Sequence, residues 1–219
     1  MSDDARQRAI VRARKLLTQA EHANTSVTER QTFAAKAAEI MMRHDLTEAV
    51  VRASVESANA VTEQIDISVF RVSGSGGHGR HRAWGLGDVA QAYGCEVCFF
   101  GNNSSNAPRT IHIVGAIADL DTLRMLLSTV AAVAETSAAE ATARHRQTLT
   151  RDGWYTHAEL QREVSLYRRS FLRSFGTGVA AQIRAQRETL VQELTTTNTG
   201  TGAELVLVDR AARVSAEFA

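Results

Sequence analysis

Arg162, Arg169, Arg173, Arg184 and Arg187 share one face of a predicted helix over residues 159–194, with few carboxylates among them. Guanidinium forks bind phosphate bidentately, and each neutralised phosphate releases counterions. At about 1.5 Å per residue the stripe covers roughly 38 Å, the scale of about one turn of duplex DNA. A shorter stripe, Arg8, Arg12 and Lys15, lies on a predicted N-terminal helix. The plain alternative is a solvated helix face, paired in part with the chain's 24 Asp and Glu residues.

A second set is His78-x-x-His81 followed by Cys95-x-x-Cys98. By residue type these could be four zinc ligands. However, Cys95 and Cys98 fall in an apolar predicted strand, where residues three apart point to opposite faces. Two core thiols and two loop histidines are the plainer account, so no cofactor is expected beyond this zinc option. Gly74-x-Gly76-x-x-Gly79 matches a dinucleotide fingerprint by letters, but the next strand ends Phe100-Gly101-Asn102 without the acid that would hold a ribose. The Lys and Ser/Thr of a phosphate-binding P-loop are also missing. No G-x-S-x-G or H-E-x-x-H occurs, which leaves enzyme activity open. His44 is expected to cap or pack at a helix end, His112 to be structural, and Asn102 to Asn106 to form a polar tip.

These residues must be positioned by the elements around them. In the first helix Ala9, Ile10, Ala13, Leu16, Leu17 and Ala20 fall on one face. A short polar link leads to Ser26 and Glu29, spaced as a capping box. The second helix carries Phe33, Ala34, Ala37, Ile40 and Met41 on one face, and Glu39 with Arg43 as an i,i+4 pair. The short link makes the pair antiparallel, and alanine lets the helices approach closely. A third short helix is expected at 47–58. Downstream, strands are predicted at 61–72, 95–100, 110–114 and 205–208, and helices at 81–93, from 118 or 119 to about 144, and 158–194. Residues 146–153 read as a polar link.

The expected fold class is α+β. A helical hairpin, residues 1–58, precedes a β-α-β-β-α-α-β domain, residues 59–219, with a small, mainly antiparallel sheet and two long helices. That order is similar to a split βαβ layout with helices on one face.

The stretch RARKLLTQAEHANTSVTERQTFAAKAAEIMMRHDL resembles the N-terminal module of a domain-of-unknown-function family, DUF2786, of bacteria and phages. Arg14-Lys15-Leu16-Leu17, Ala20, Glu29, Ala34, Ala35, Lys36-Ala37, Met42, His44 and Leu46 carry the match. Arg30-Gln31 stands where members often have Ala. Trp84 to Cys95, Ile113 to Leu127, Tyr167 to Ile183 and Glu204 to Val214 resemble the domain that usually accompanies this hairpin. The resemblance implies no activity, cofactor or catalytic residue.

At 44% hydrophobic the 219-residue chain can bury a core, and its net charge of +1 means any electrostatic site must come from local clustering. Leu123 to Ala134 is too short and too polar to span a bilayer. Two cysteines and no export signal point to the cytoplasm. The leading expectation is a nucleic-acid-binding accessory protein. The alternatives are a metal-dependent or small-ligand enzyme built on the Gly74–Gly79 loop with His78 and His81, and a protein-interaction module. A protein partner or homo-oligomer is compatible with any of them.

Overall fold

The computed structural model describes residues 2–22, 24–55, 64–72, 78–100, 109–197 and 212–218. Most of the glycine loop, the polar tip at 102–106, the end of the expected third helix and the expected strand at 205–208 lie outside these residues.

Helices α1 (Ser2–Glu21) and α2 (Val27–Val55) form the hairpin. Ser26 and Glu29 make the capping box: the Ser26 amide and Oγ donate to Glu29 Oε2 at 2.8 and 2.7 Å, and the Glu29 amide donates to Ser26 Oγ at 3.3 Å. Ala13, Leu17 and Ala20 of α1 are buried, as are Ala34, Ala37, Ala38 and Met41 of α2. Helix α2 does not break at 47 but runs unbroken to Val55. No glycine or proline interrupts it, so no separate third helix forms and His44 sits in mid-helix.

Strands β1 (Ile65–Val72), β2 (Glu96–Phe100) and β3 (Arg109–Ala116) form one antiparallel sheet of order β1-β3-β2. Helix α3 (Gly79–Tyr93) joins β1 to β2. Both outer strands run against β3, so β1 and β2 are parallel with β3 between them, the split βαβ arrangement. Ser68, Phe70, Val72, Val97, Ile111 and Ile113 face the helices. The other face is uncovered among the described residues, with Ile67, Val69 and Phe100 exposed.

Helices α4 (Ile117–Asp152) and α5 (His157–Thr197) are long, and residues 212–218 form a short helix α6. The expected link at 146–153 is helical up to Asp152. Leu149 is buried there, and the chain turns only at Gly153, in the left-handed region at φ 70°. The hairpin is tied to this frame by the two residues that depart from the family pattern. Arg30 is 1% exposed and donates to Ser137 Oγ at 2.8 Å and Glu140 Oε2 at 3.3 Å on α4. Gln31 Nε2 donates to the Phe175 carbonyl of α5 at 3.2 Å. Among the described residues no helix is long and apolar enough to cross a membrane.

The tightest contact joins α3 to α5. A Cβ on Gly176 would lie 2.4 Å from the carbonyl carbon and oxygen of Gly85, and one on Gly85 would lie 2.9 Å from the Leu172 carbonyl oxygen. Both obstacles are backbone and cannot turn aside. At Gly178 the obstacle is the Gln31 side chain, at 2.5 Å, which can. Alanine in a helix gains about 1 kcal/mol over glycine, whereas overpacking a rigid site costs roughly 1–3 kcal/mol. Gly176→Ala therefore lowers the melting temperature by several degrees, at about 2–4 °C per kcal/mol for a chain of this size. Gly178→Ala changes it less, because the helical gain is set against the Gln31–Phe175 bond that the displaced side chain gives up. Thermal denaturation of the two variants checks this.

Candidate functional site

Helices α3 and α5 run parallel. Along them Trp84 meets Arg173, Gly85 meets Gly176, Asp88 Oδ2 accepts from Thr177 Oγ1 at 2.7 Å, and Gly94 meets Arg187. Both helices thus present matching ends. The apolar face of α5 is buried through Val164, Leu172, Phe175, Val179, Ile183 and Leu190, and this turns the neighbouring arginine face towards α3 and solvent.

At the N-terminal end of α3 the side chains converge on Trp84. The Arg80 guanidinium carbon lies 4.5 Å from the indole centroid and that of Arg173 4.9 Å. His81 meets the indole edge-on, with centroids 5.3 Å apart. A guanidinium held over an aromatic face keeps N–H donors that can bind an oxyanion. Arg82 and Arg168 are also close, but Glu135 pairs with both: Arg82 Nε donates to Oε1 at 2.6 Å, with a second contact from its terminal nitrogen, and Arg168 donates to Oε2 at 2.7 Å. The His78 N-cap makes no side-chain capping bond, and no acid stands in the first turn of α3.

The arginines divide into two groups. Arg30, Arg43, Arg82 and Arg168 are ion-paired to Glu140, to Glu39 and Glu193, and to Glu135. Arg80, Arg162, Arg169, Arg173, Arg184 and Arg187 make no ion pair among the described residues. Arg169 Nε is buried without a hydrogen-bond partner. The partial pairing expected of an ordinary solvated face is therefore absent from this stripe.

The stripe is not uniform. Arg162 is exposed towards the outer end of α5. Arg169 and Arg173 join the Trp84 cluster. Arg184 and Arg187 line a groove with Gln91, Ala92 and Glu188, and there Glu188 dilutes the charge. The Arg187 guanidinium lies against Gly94, the left-handed residue that ends α3, where a cation complements the helix dipole. On α1, Arg12 and Lys15 are exposed, but α1 packs on α2 and α4, while the cluster lies where α3 meets α5.

The histidine–cysteine set is not brought together. His78 and His81 sit among the arginines, Cys95 is buried beneath Gly115, and Cys98 is exposed on β2. Among the described residues no three His, Cys, Asp or Glu side chains converge on a metal-sized site. Arg80 and the role of Trp84 escape a sequence reading that treats the indole as core. The available signal was their i,i+4 spacing on one helix.

The hairpin matches the family model Protein of unknown function (DUF2786) over residues 8–48. That DUF2786 match ends within α2, so it contains neither α3 nor α5. No curated protein and no solved structure matches the chain.

Burial holds the pKa of His78 below its ordinary 6.5, and Arg168 and Arg169 depress it further, with Glu135 opposing. Burial does the same to His81, followed by Arg169, Arg173 and Arg80. Both rings are therefore neutral at pH 7. A folded pKa below the unfolded one means the unfolded chain binds more protons, so stability falls as pH drops below the ordinary value of 6.5. Histidine NMR titration should find both rings below the ordinary midpoint. Arg169→Gln should raise both, because that guanidinium acts on each.

Proposed function

We propose that this protein binds nucleic acid through its phosphates, in the cytoplasm of a bacterium or a phage-infected cell, using the α5 arginine face and the N-terminal end of α3. The observation that carries the reading is the pair of guanidiniums of Arg80 and Arg173 on Trp84, with Arg169 beside the adjoining His78 and His81; none of the three is ion-paired among the described residues, and Glu135 is committed to Arg82 and Arg168. Like charges at the positive end of a helix repel one another and the helix dipole. A polyanion turns that cost into binding energy. Arg162 and Arg184 extend the track in both directions along α5. Such contacts position a backbone and carry no base sequence information, so the protein is proposed as a structure-reading accessory factor.

The same surroundings count against a divalent cation at His78 and His81, because the neighbouring arginines repel it. The alternative built on these histidines thus becomes an anion site in the same place. A lone phosphate and a nucleic acid differ in salt dependence, since only the latter releases condensed counterions.

Fluorescence anisotropy of labelled duplex and single strand, with salt raised from ~50 to ~200 mM, should show a log–log slope of about −3 to −4 for roughly four contacted phosphates. Arg169→Glu with Arg173→Glu should abolish binding and leave the melting temperature nearly unchanged, since neither side chain is ion-paired among the described residues and relief of the repulsion among the guanidiniums offsets loss of the Arg173–Trp84 contact. Arg187→Glu should instead lower the melting temperature, because it places a carboxylate against the carbonyl end of α3. No binding at the lowest salt would make the face a solvated one.

A further inference from the structure

Helices α4 and α5 have 36 and 41 residues, about 54 and 62 Å at ~1.5 Å per residue. Beyond Ala141 and Val164 most side chains are exposed, with Leu149 buried and Thr142, His145, Leu160 and Glu163 half-buried between them. The outer part of the pair is thus an arm held by its own two helices. His145 stacks on Tyr167 at 4.1 Å, and Arg146 donates to Gln161 at 3.1 Å.

At the end of this arm Trp154 is 88% exposed and Tyr155 43%. The turn that carries them is specified on both sides. Gly153 takes the left-handed conformation at φ 70°. Thr156 and Glu159 form a capping box, with the Thr156 amide and Oγ1 donating to Glu159 Oε2 at 2.9 and 2.7 Å. Trp154 is therefore held away from the arm by a fixed turn. Nothing in the packing of the described residues accounts for an indole there.

We propose that Trp154 stacks on an unpaired base at the end or junction of a nucleic acid whose phosphates follow α5. This rests on the function proposed above. Charge and continuity favour a nucleobase as the occupant. The tip adjoins the start of α5, where Arg162 begins the unpaired series that continues through Arg169 and Arg173. Arg151 flanks the turn from the α4 side and makes no ion pair among the described residues. The Glu159 carboxylate is engaged by Thr156. An indole offers one flat face of the size of a base, and such stacking accepts any base. A lipid surface would need a continuous apolar stripe, whereas the immediate neighbours of the two rings are Arg151, Asp152, Thr156 and His157.

The test compares a blunt duplex with the same duplex bearing a short single-stranded overhang that carries 2-aminopurine, each titrated with wild type, Trp154→Ala and Trp154→Phe. The wild type should prefer the overhang and quench 2-aminopurine on binding. Trp154→Ala should lose the quench and about tenfold in overhang affinity, the range of one base stacked on an aromatic ring, while binding the blunt duplex as before. Trp154→Phe should recover part of both. An unchanged quench and affinity in Trp154→Ala, or a wild type without preference, overturns the stacking role while the phosphate reading stands. Loss of all binding by the wild type overturns both. Capture by vesicles of anionic phospholipid, lost in Trp154→Ala, would assign the tip to a membrane surface and overturn the base assignment.

Discussion

The candidate site depends on one backbone contact. Gly85 and Gly176 bring α3 and α5 together at a distance no side chain permits. Close approach of two helices gains dispersion and weak Cα–H···O contacts along the crossing. Its larger effect is on what lies next to the crossing. Towards the start of each helix, Trp84 and Arg80 of α3 meet Arg173 of α5, and Arg169 lies near His78 and His81. A wider separation would leave Trp84 without its second guanidinium. The glycines carry no chemistry themselves, but they decide whether the cations form a cluster or a scattered stripe.

The parallel pairing has an electrostatic consequence. Helix α5 supplies arginines to both ends of α3, and the two ends receive them differently. Arg187 rests at the carbonyl end, where the dipole favours a cation and the side chain packs against Gly94. Arg169 and Arg173 reach the amide end, where the dipole opposes them and burial keeps His78 and His81 neutral. The first placement stabilises the free protein. The second costs stability in the free protein and is offset when an anion arrives. Five arginines that look equivalent in sequence thus serve two purposes, and only geometry separates them.

Much of the frame was legible because its signals are local. The capping box at Ser26 and Glu29, the apolar face of α5 and the positions of the three described strands each follow from short-range signals, and each is present. The errors arise where a polar stretch carries no breaker. Residues 146–152 are polar enough to suggest a link, yet without glycine or proline they continue as helix with Leu149 as a buried anchor, and 47–55, expected as a separate short helix, continues α2 for the same reason. The site was half legible. The arginine face of α5 follows from helical periodicity, but its partner does not, because the sequence does not state that α3 runs parallel to α5 or that Trp84 lies under Arg173. Arg30 and Gln31 show the same limit. By letters they are departures from a family pattern; in space they are the bonds that fix the hairpin to α4 and α5.

The two buried arginines among the described residues are both paired. Arg30 and Arg82 are buried, and an unpaired charge in such a position is strongly unfavourable, so Glu140 and Glu135 are drawn to them. Arg162, Arg173 and Arg184 are exposed and can remain hydrated. The chain has nearly as many carboxylates as bases, so pairing throughout was open to it. Carboxylates appear where the interior requires them and are sparse along the α5 face and around Trp84. A near-neutral protein can therefore hold a concentrated positive surface, because its carboxylates are placed away from that face.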